Sequence, residues 1–540
     1  MRSCRIEGCD TEVVVVADQS LPDLAAGDRV VWGAPVGAVG DATDDEIEGV
    51  LRNPGAARSL LGVWVIAAIE LDRVRLVTSA SLPHTLKRVE GPKGVAFATR
   101  GLAAHALAGR SPRISEHAVV EQVLFGYVLG SDEILEGTEL LPEASVVDLD
   151  AAATTISSFW PIEERFAPTA PVGRPEFLEL LTSTGLRFAR TRGVWLGLTA
   201  GRDSTLLAAV LDRSGVEVPA FTMSGDIVGA ADLKGARATA SALGWRHDRV
   251  GVHADPQPIT PADLKRWAAW HEGMQRFNDY TVSPAEWPEL NVRWLSGHGG
   301  EIGRAFYWAK SPERSIDDPV GTLIGRRQEL LPDRAAAMLH RRIKGELSSI
   351  RKLGRPRTDD LDVFYARQRM RKWVMRLQPL AQFADAVPAF LDPQIVGALL
   401  AVPWEGRPSG RLFDATIRSL RRDLARSRGK PRRNARKSTR LFDGIRRERS
   451  RRAQGVHAGV QPLSVKYVSA MRLFRWLDRE GASVVKECLG PRWWDAAIEQ
   501  ASRSGRLSPE LWNALSIEGL ALHLGASKVP AADERDPVYY

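Results

Sequence analysis

The chain has 540 residues, of which 44% are hydrophobic and 26% are charged, a composition typical of globular proteins. Its longest apolar runs are much shorter than the roughly 20 residues of a membrane-spanning helix, and its N-terminal stretch resembles no signal peptide, so we expect a cytoplasmic protein without a membrane partner. Three cysteines are too few for a disulfide framework. The net charge of +8 is concentrated in residues 418–452, and because this excess is local we expect no nucleic-acid partner.

Three patterns follow one another along the chain. Up to about Phe166, β-rich runs such as "TEVVVVA" and "LLGVWVIAAIEL" are separated by Gly, Pro and Asp, which predicts packed sheets. The stretch "APTAPVGRP" then has the composition of a linker. Beyond it, apolar runs alternate with helix-like stretches, which predicts a parallel α/β sheet, and from about Asp317 the composition favours helices. We therefore expect an α/β protein with one domain in residues 1–166, a linker at 167–176 and a second domain in residues 177–540.

The stretch "GVWLGLTAGRDST" is the first candidate for a functional site. It is an apolar run that enters a glycine-containing turn and then a helix-like segment, and such junctions bind anions at the free N–H groups of the helix. Asp203 would repel a bare phosphate, so a divalent cation between the two is the reading that fits a functional site. An ordinary strand-to-helix turn with an Asp cap is the alternative.

A second junction, "LNVRWLSGHGGEIGRAFYW", has the same form. Another apolar run enters a glycine-rich turn, and Glu301 follows directly behind it. Two such turns on one sheet, each with an acid, would share one magnesium ion and one triphosphate. The pair is a stronger indication than either turn alone.

These motifs resemble the asparagine synthetase superfamily. "LTAGRDS" is similar to the family's pyrophosphate loop, usually Ser-Gly-Gly-x-Asp-Ser, with Thr199 and Ala200 in place of the first Ser and Gly. "LSGHGGE" resembles the family's second loop, and "DAVPAFLD" its Glu-Val-Arg-x-Pro-Phe-Leu-Asp segment. The resemblance implies a glutaminase-like (Ntn-type) β-sandwich domain followed by an α/β parallel-sheet ATP-pyrophosphatase domain with extra helices.

The N-terminal part departs from the family's glutamine-using members. Their nucleophile is a cysteine whose own α-amino group acts as base, whereas position 2 here is Arg2 and the nearest thiol is Cys4. An Asn-Gly-Glu stretch that would hold glutamine is also missing. We therefore expect a degenerate glutaminase domain, although the sequence leaves open whether any activity survives through Cys4.

The resemblance assigns roles to individual residues, with ATP and Mg2+ as cofactors. Asp203 and Glu301 would hold magnesium, and Met223 would lie against adenine. The backbones of the two loops would surround the nucleotide phosphates, and the residues concerned are Leu198, Thr199, Ala200, Gly201, Arg202, Asp203, Ser204, Gly297, Gly299 and Gly300.

Two further catalytic roles are predicted. His298 occupies the place of a tyrosine in the β-lactam synthetases and Asp385 aligns with its glutamate partner, so a His298–Asp385 general-base dyad is one hypothesis. The alternative is that His298 only hydrogen-bonds the loop and that Asp385 caps a helix. Lys437, with Lys430 second, is the candidate for the lysine that neutralises charge on the adenylate. The basic run around it is equally interpretable as a solvated face.

The function implied is an ATP-dependent amide ligase, most closely a lasso-peptide macrolactam cyclase that joins a precursor's N-terminal amine to an Asp or Glu side chain. Such an enzyme would act on a precursor peptide beside a leader-peptide-binding protein and a protease. A β-lactam synthetase-like ligase, an asparagine synthetase and a non-catalytic basic binding protein are the alternatives. The stripe of Tyr365, Met370, Trp373 and Leu377 reads as core rather than site.

Overall fold

The computed structural model describes residues 2–5, 12–15, 29–33, 35–70, 73–83, 86–150, 153–225, 230–252, 260–274, 292–308, 316–374, 384–427, 465–479 and 481–525. The fold is mixed α/β, as expected, with antiparallel sheets in the N-terminal part and a parallel sheet after them.

The strands follow one another in chain order. They are β1 Arg2–Arg5, β2 Glu12–Val15, β3 Arg29–Gly33, β4 Val36–Gly37, β5 Gly40–Asp41, β6 Trp64–Ile69, β7 Arg73–Thr78, β8 Lys87–Gly91, β9 Gly94–Ala98, β10 Thr138–Leu140, β11 Ser145–Asp150, β12 Thr154–Ser158, β13 Val194–Gly197, β14 Ala220–Gly225, β15 His247–Val252, β16 Val292–Ser296 and β17 Ala384–Pro388.

The α-helices are most frequent in the C-terminal half. They span Asp44–Arg52, Gly101–Ala108, Glu116–Phe125, Ile162–Arg165, Arg174–Ala189, Arg202–Arg213, Ala230–Leu243, Pro261–His271, Pro319–Ile324, Asp333–Arg351, Asp360–Phe364, Arg371–Trp373, Pro393–Ala401, Arg411–Leu420, Arg422–Ser427, Val465–Arg479, Val484–Leu489, Pro491–Ser504 and Pro509–His523. Short 3-10 turns occupy Pro54–Ser59, Gly300–Arg304, Gly325–Leu330, Arg357–Asp359, Ala389–Leu391 and Trp404–Gly406, and a π-helical turn occupies Tyr365–Met370.

The N-terminal part is built in four layers. A five-stranded antiparallel sheet, in the order β12-β11-β7-β6-β3, lies against a three-stranded sheet, in the order β10-β8-β9. Side chains alternate along each strand, so one face of the larger sheet packs on the helix Asp44–Arg52 and the other contacts the smaller sheet through Phe97. The helix Gly101–Ala108 covers the far face of the smaller sheet. The predicted packed sheets are present, with a helix outside each.

The later part contains a five-stranded parallel sheet in the order β15-β14-β13-β16-β17. Strand β13 is central: β14 and then β15 lie on one side of it, and β16 and then β17 lie on the other. The strand order therefore reverses between β13 and β16. In open α/β sheets, ligands bind at this reversal, beyond the carboxyl ends of the two strands.

The main hydrophobic core crosses the predicted linker. It joins the helix Glu116–Phe125 to residues of the parallel sheet and of the C-terminal helices. Residues 168–173 have no regular secondary structure, but the helix Arg174–Ala189 begins inside the predicted linker. The guanidinium of Arg355 donates hydrogen bonds to the carbonyls of Phe166 and Ala167, which attaches this connection to the helical part.

Buried charges also connect the two parts. The Lys87 ammonium lies 2.8 Å from Glu272 Oε2 and 3.6 Å from Glu133, and Lys372 lies 2.8 Å from Glu133. Glu272 additionally accepts the first backbone N–H groups of the helix Gly101–Ala108. Because each buried charge has an opposite neighbour, the network is paired rather than isolated.

Among the helices that the structure describes, none is both long enough and apolar enough to cross a lipid bilayer.

Candidate active site

The two glycine-rich junctions lie side by side at the strand-order reversal. Strand β13 pairs in parallel with β16, with Val194 opposite Arg293 and Leu196 opposite Leu295. The turn after β13 leads into the helix Arg202–Arg213, and the turn after β16 leads into the 3-10 turn Gly300–Arg304. The sequence therefore placed both junctions on one sheet correctly, and the structure makes them neighbours.

The first loop is folded by its own hydroxyl groups. The backbone N–H of Thr199 donates to Ser204 Oγ over 3.1 Å, and the N–H of Gly201 donates to Thr199 Oγ1 over 3.0 Å. Gly201 begins the helix without a side-chain cap, so the first N–H groups of the helix have no partner within it. Both backbone polar groups of Leu198 are already hydrogen-bonded to β14: its N–H donates to the carbonyl of Phe221, and its C=O accepts from the Thr222 hydroxyl. The loop thus points a helix N-terminus at the reversal.

Ala200, one of the two departures from the family's loop, has a matched neighbour. A methyl group at Gly235 would lie only 2.4 Å from the Ala200 Cβ. The absence of a side chain at Gly235, in the helix Ala230–Leu243, therefore leaves room for the methyl group of Ala200. Thr199 is likewise accommodated, through its hydroxyl bond to Ser204 Oγ at 3.1 Å. Both substitutions fit within the loop's own packing.

The second loop approaches the first closely enough to require glycine. A Cβ at Gly297 would lie 2.8 Å from the backbone nitrogen of Ser204, and a Cβ at Gly300 would lie 2.5 Å from Cγ and Oδ1 of Asp203. Any side chain at either position would push the two loops apart. Gly299 lies between them with a φ of 97°, which only glycine adopts readily.

The two predicted metal ligands are bridged by an arginine. Arg304 Nη2 lies 2.5 Å from Asp203 Oδ2 and 3.7 Å from Glu301 Oε1. Asp203 is 8% exposed, so its carboxylate is held in place largely away from solvent. The guanidinium thus provides the positive charge that a cation would otherwise supply between the two acids.

Two carboxylates are a suitable protein contribution to a magnesium site that is shared with phosphate. Mg2+ is commonly bound by one or two carboxylates together with substrate phosphates and water. Among the residues that the structure describes, no cluster of three or more His, Cys, Asp or Glu side chains forms a cage for a metal alone. The donor set at Asp203 and Glu301 fits a metal that arrives with a nucleotide.

His298 lies in the second loop beside aromatic rings. Its Nδ1 is 2.9 Å from Ser296 Oγ, and its ring centroid lies 5.8 Å from that of Trp294 and 5.3 Å from that of Trp373. Burial lowers the pKa of His298, although Glu301 acts in the opposite direction. The imidazole is therefore neutral at pH 7 and able to accept a proton.

The predicted His298–Asp385 dyad stays a prediction. Asp385 is the second residue of β17, and its backbone pairs with Arg293 on the neighbouring strand β16. The side chain of Asp385 lies outside what the structure describes. The described hydrogen-bond partner of the His298 ring is Ser296 Oγ.

The other predicted site residues are placed as follows. Met223 lies in β14, half-buried against the main core, and its contact with adenine stays a prediction. Lys437 and Lys430 lie outside the described residues, as does most of the basic segment. The described beginning of that segment is helical, and Arg421 there pairs with Asp212 at 2.6 Å and Asp423 at 2.7 Å.

Sequence reasoning missed one cluster beside the second loop. Tyr365 and Met370 are each 2% exposed, as expected of core residues. The same helical segment, however, places Arg369 against Phe306, Tyr365 and Trp373, close to His298. The aromatic residues after Glu301 were a signal of this cluster, but the π-helical turn that orients Arg369 has no sequence pattern of its own.

No protein-family model matches the chain, and a search of the curated proteins likewise returns no match. The resemblance to the asparagine synthetase superfamily therefore rests on the motifs themselves.

Proposed function

We propose that this protein is an ATP-dependent amide ligase of the asparagine synthetase type, which adenylates a substrate carboxylate and lets a substrate amine attack it. The observation that carries the proposal is the pair of glycine-dependent loops at the reversal of the parallel sheet, with Asp203 and Glu301 facing one guanidinium. Glycine at Gly297 and Gly300 lets the two loops approach each other closely, which supports a shared site for one nucleotide.

The residues present fit a nucleotide and a metal in defined ways. The backbone N–H groups at the start of the helix Arg202–Arg213 would bind phosphate oxygens, and Asp203 with Glu301 would hold Mg2+. Bound ATP supplies an α-phosphate for attack by the carboxylate and pyrophosphate as the leaving group. The role of this chain is to align the phosphates between two loops whose glycines carry no side chains, and to neutralise the negative charge of the phosphates.

A proton must leave the attacking ammonium, whose pKa of about 8 to 10 keeps it mostly protonated at neutral pH. His298 is the proposed acceptor, because burial keeps its imidazole neutral and the ring lies in the second loop. Ser296 Oγ at 2.9 Å from Nδ1 orients the ring, leaving Nε2 as the candidate proton acceptor. Asp385 stays the predicted carboxylate partner of this imidazole.

The finer proposal is macrolactam formation in a lasso-peptide precursor, with the amine and the carboxylate on one molecule. Its support is that Arg2 stands where the family's glutamine-using members have their nucleophilic cysteine. The nitrogen of Cys4, the nearest thiol, is an amide bonded to Ser3, so it cannot serve as the base. A leader-peptide-binding protein and a protease are the partners that this function proposes. A β-lactam synthetase-like reaction on a small amino acid is the nearest alternative.

Incubation with Mg-ATP and a candidate precursor peptide, followed by intact mass spectrometry, tests the proposal. We expect the peptide to lose one water while one AMP and one pyrophosphate form, and we expect Asp203→Asn to abolish both. Product formation from a small β-amino acid but not from the peptide would favour the alternative ligase. Formation of ADP, or no nucleotide cleavage with either class of substrate, would contradict the ligase proposal.

A further inference from the structure

The helix that packs beside the second loop contains a π-helical turn. Residues Tyr365–Met370 form this turn between the α-helical segments Asp360–Phe364 and Arg371–Trp373. Such turns are rare, and they frequently occur at functional sites because they reorient side chains. Here the turn places Tyr365, Arg369 and Trp373 beside Phe306, which follows the 3-10 turn of the second loop.

Arg369 lies among aromatic rings. Its guanidinium carbon is 4.9 Å from the Phe306 ring, 5.8 Å from Trp373 and 6.0 Å from Tyr365. Its Nε is buried without a hydrogen-bond partner, and none of the ion pairs among the described residues includes it. Burial acts to lower the pKa of Arg369, whereas the nearby tyrosines and the more distant carboxylate of Glu301 raise it, so the cation remains charged.

A largely buried cation whose Nε has no hydrogen-bond partner is costly unless an anion binds it. Guanidinium groups bind carboxylates through two parallel hydrogen bonds, and the rings around Arg369 offer apolar contact to the carbon atoms next to such a group. Phe306 is 43% exposed, which leaves this edge of the cluster open to solvent. Trp373 contacts His298 on the other side, so the cluster adjoins the loop that holds Glu301.

We propose that Arg369, Phe306, Tyr365 and Trp373 form the binding site for the side-chain carboxylate of an acidic residue in a peptide substrate, an inference that rests on the proposed ligase function. Arg369 binds the carboxylate, and the rings contact the neighbouring methylene groups. The site thereby selects a peptide with an acidic side chain and orients it beside the two loops.

Calorimetric titration of the full chain with N-acetyl-L-glutamic acid α-amide tests the proposal, with N-acetyl-L-glutamine amide as the uncharged probe of the same shape. We expect saturable binding of the acid and at least a tenfold weaker response to the amide. Arg369→Met is expected to lose binding of the acid by about tenfold or more, because a charge-assisted bidentate contact is removed. Arg367→Met, two residues away with its guanidinium near Ser349 Oγ, is the matched control and should bind like the wild type.

Phe306→Ala provides a second variant, because truncating a half-exposed ring leaves the core intact. It should weaken binding of the acid while leaving the unfolding temperature unchanged. Equal binding of acid and amide, or unchanged binding in both Arg369→Met and Phe306→Ala, would overturn the proposed site.

A parallel titration with Mg2+ and α,β-methylene-ATP separates this inference from the proposed function. If the nucleotide analogue binds and the acid does not, the carboxylate site is wrong and the ligase proposal stands. If the acid binds through Arg369 and the nucleotide analogue does not, the carboxylate site stands and the ligase proposal is wrong.

Discussion

Arg304 is predicted to compete with the metal for the two carboxylates. In the structure its guanidinium lies 2.5 Å from Asp203 and 3.7 Å from Glu301, so a divalent cation must displace it to reach both. The variant Arg304→Met keeps a similar side-chain length and removes only the charge and the hydrogen-bond donors. We therefore expect Arg304→Met to bind Mn2+ in the absence of nucleotide more tightly than the wild type does.

The magnitude follows from the distances. With an effective dielectric constant of about 20, a unit charge pair at 3.7 Å interacts by about 4 kcal/mol. Arg304 is 25% exposed and Glu301 32%, so solvent screening reduces this value, and a hydrogen bond to a charged group contributes about 1.5 to 3 kcal/mol net. Removing that competition should tighten Mn2+ binding by about tenfold to 100-fold.

The assay is titration of the nucleotide-free protein with Mn2+, with free Mn2+ measured by electron paramagnetic resonance. Arg411→Met is the matched control, because Arg411 is exposed and adjoins Gly410, which lies near Arg304. Its Mn2+ affinity should equal that of the wild type. Equal affinity in Arg304→Met and wild type, or tight metal binding by the nucleotide-free wild type, would refute the reasoning.

Three further predictions concern the loops and the buried charges. Gly300→Ala should abolish binding of Mg2+ with α,β-methylene-ATP in calorimetry, because its methyl group would lie 2.5 Å from Asp203. Gly345→Ala is the control and should bind normally, because its methyl group would contact nothing on the exposed face of the helix Asp333–Arg351; equal binding by both variants would count against the loop contact. Burial raises the pKa of Glu518 to about 7, above its value in the unfolded chain, so its contribution is full at pH 4 and is lost as pH rises through 7. Glu518→Gln should therefore remove up to about 3 kcal/mol of the fall in unfolding free energy between pH 5 and pH 8, and an unchanged pH dependence in urea denaturation would disprove this. Glu272→Gln should lower the unfolding free energy by about 3 kcal/mol, because it removes the nearer partner of a buried lysine, and a loss under 1 kcal/mol would mean that the network contributes little.

The sequence was informative wherever the pattern is local. An apolar run followed by a glycine-rich turn predicted both junctions. The two junctions share a parallel sheet, as continuous apolar runs such as "GVWLGL" indicate, because such runs are typical of buried parallel strands. Short β-rich runs broken by Gly, Pro and Asp in the N-terminal part predicted packed sheets, and the structure adds the helix outside each. Gly300 was identified as part of a loop, and its close approach to Asp203 explains why that position is glycine.

Features set by long-range packing were beyond sequence reasoning. The register of β17 places Asp385 opposite Arg293, and no motif encodes that pairing. The position of Arg304 between two acids depends on a side-chain rotamer, since a spacing of three residues from Glu301 also allows it to face solvent. Ala200 packs against Gly235 across a helix and a strand of intervening sequence, so neither residue alone indicates the contact.

A crystal structure of the protein with Mg2+ and α,β-methylene-ATP tests the central claim most directly. We expect phosphate oxygens at the backbone N–H groups that begin the helix Arg202–Arg213, one metal ion between Asp203 and Glu301, and the Arg304 guanidinium moved out of that position. Nucleotide bound elsewhere, or Arg304 still bridging the two carboxylates with the nucleotide present, would contradict it.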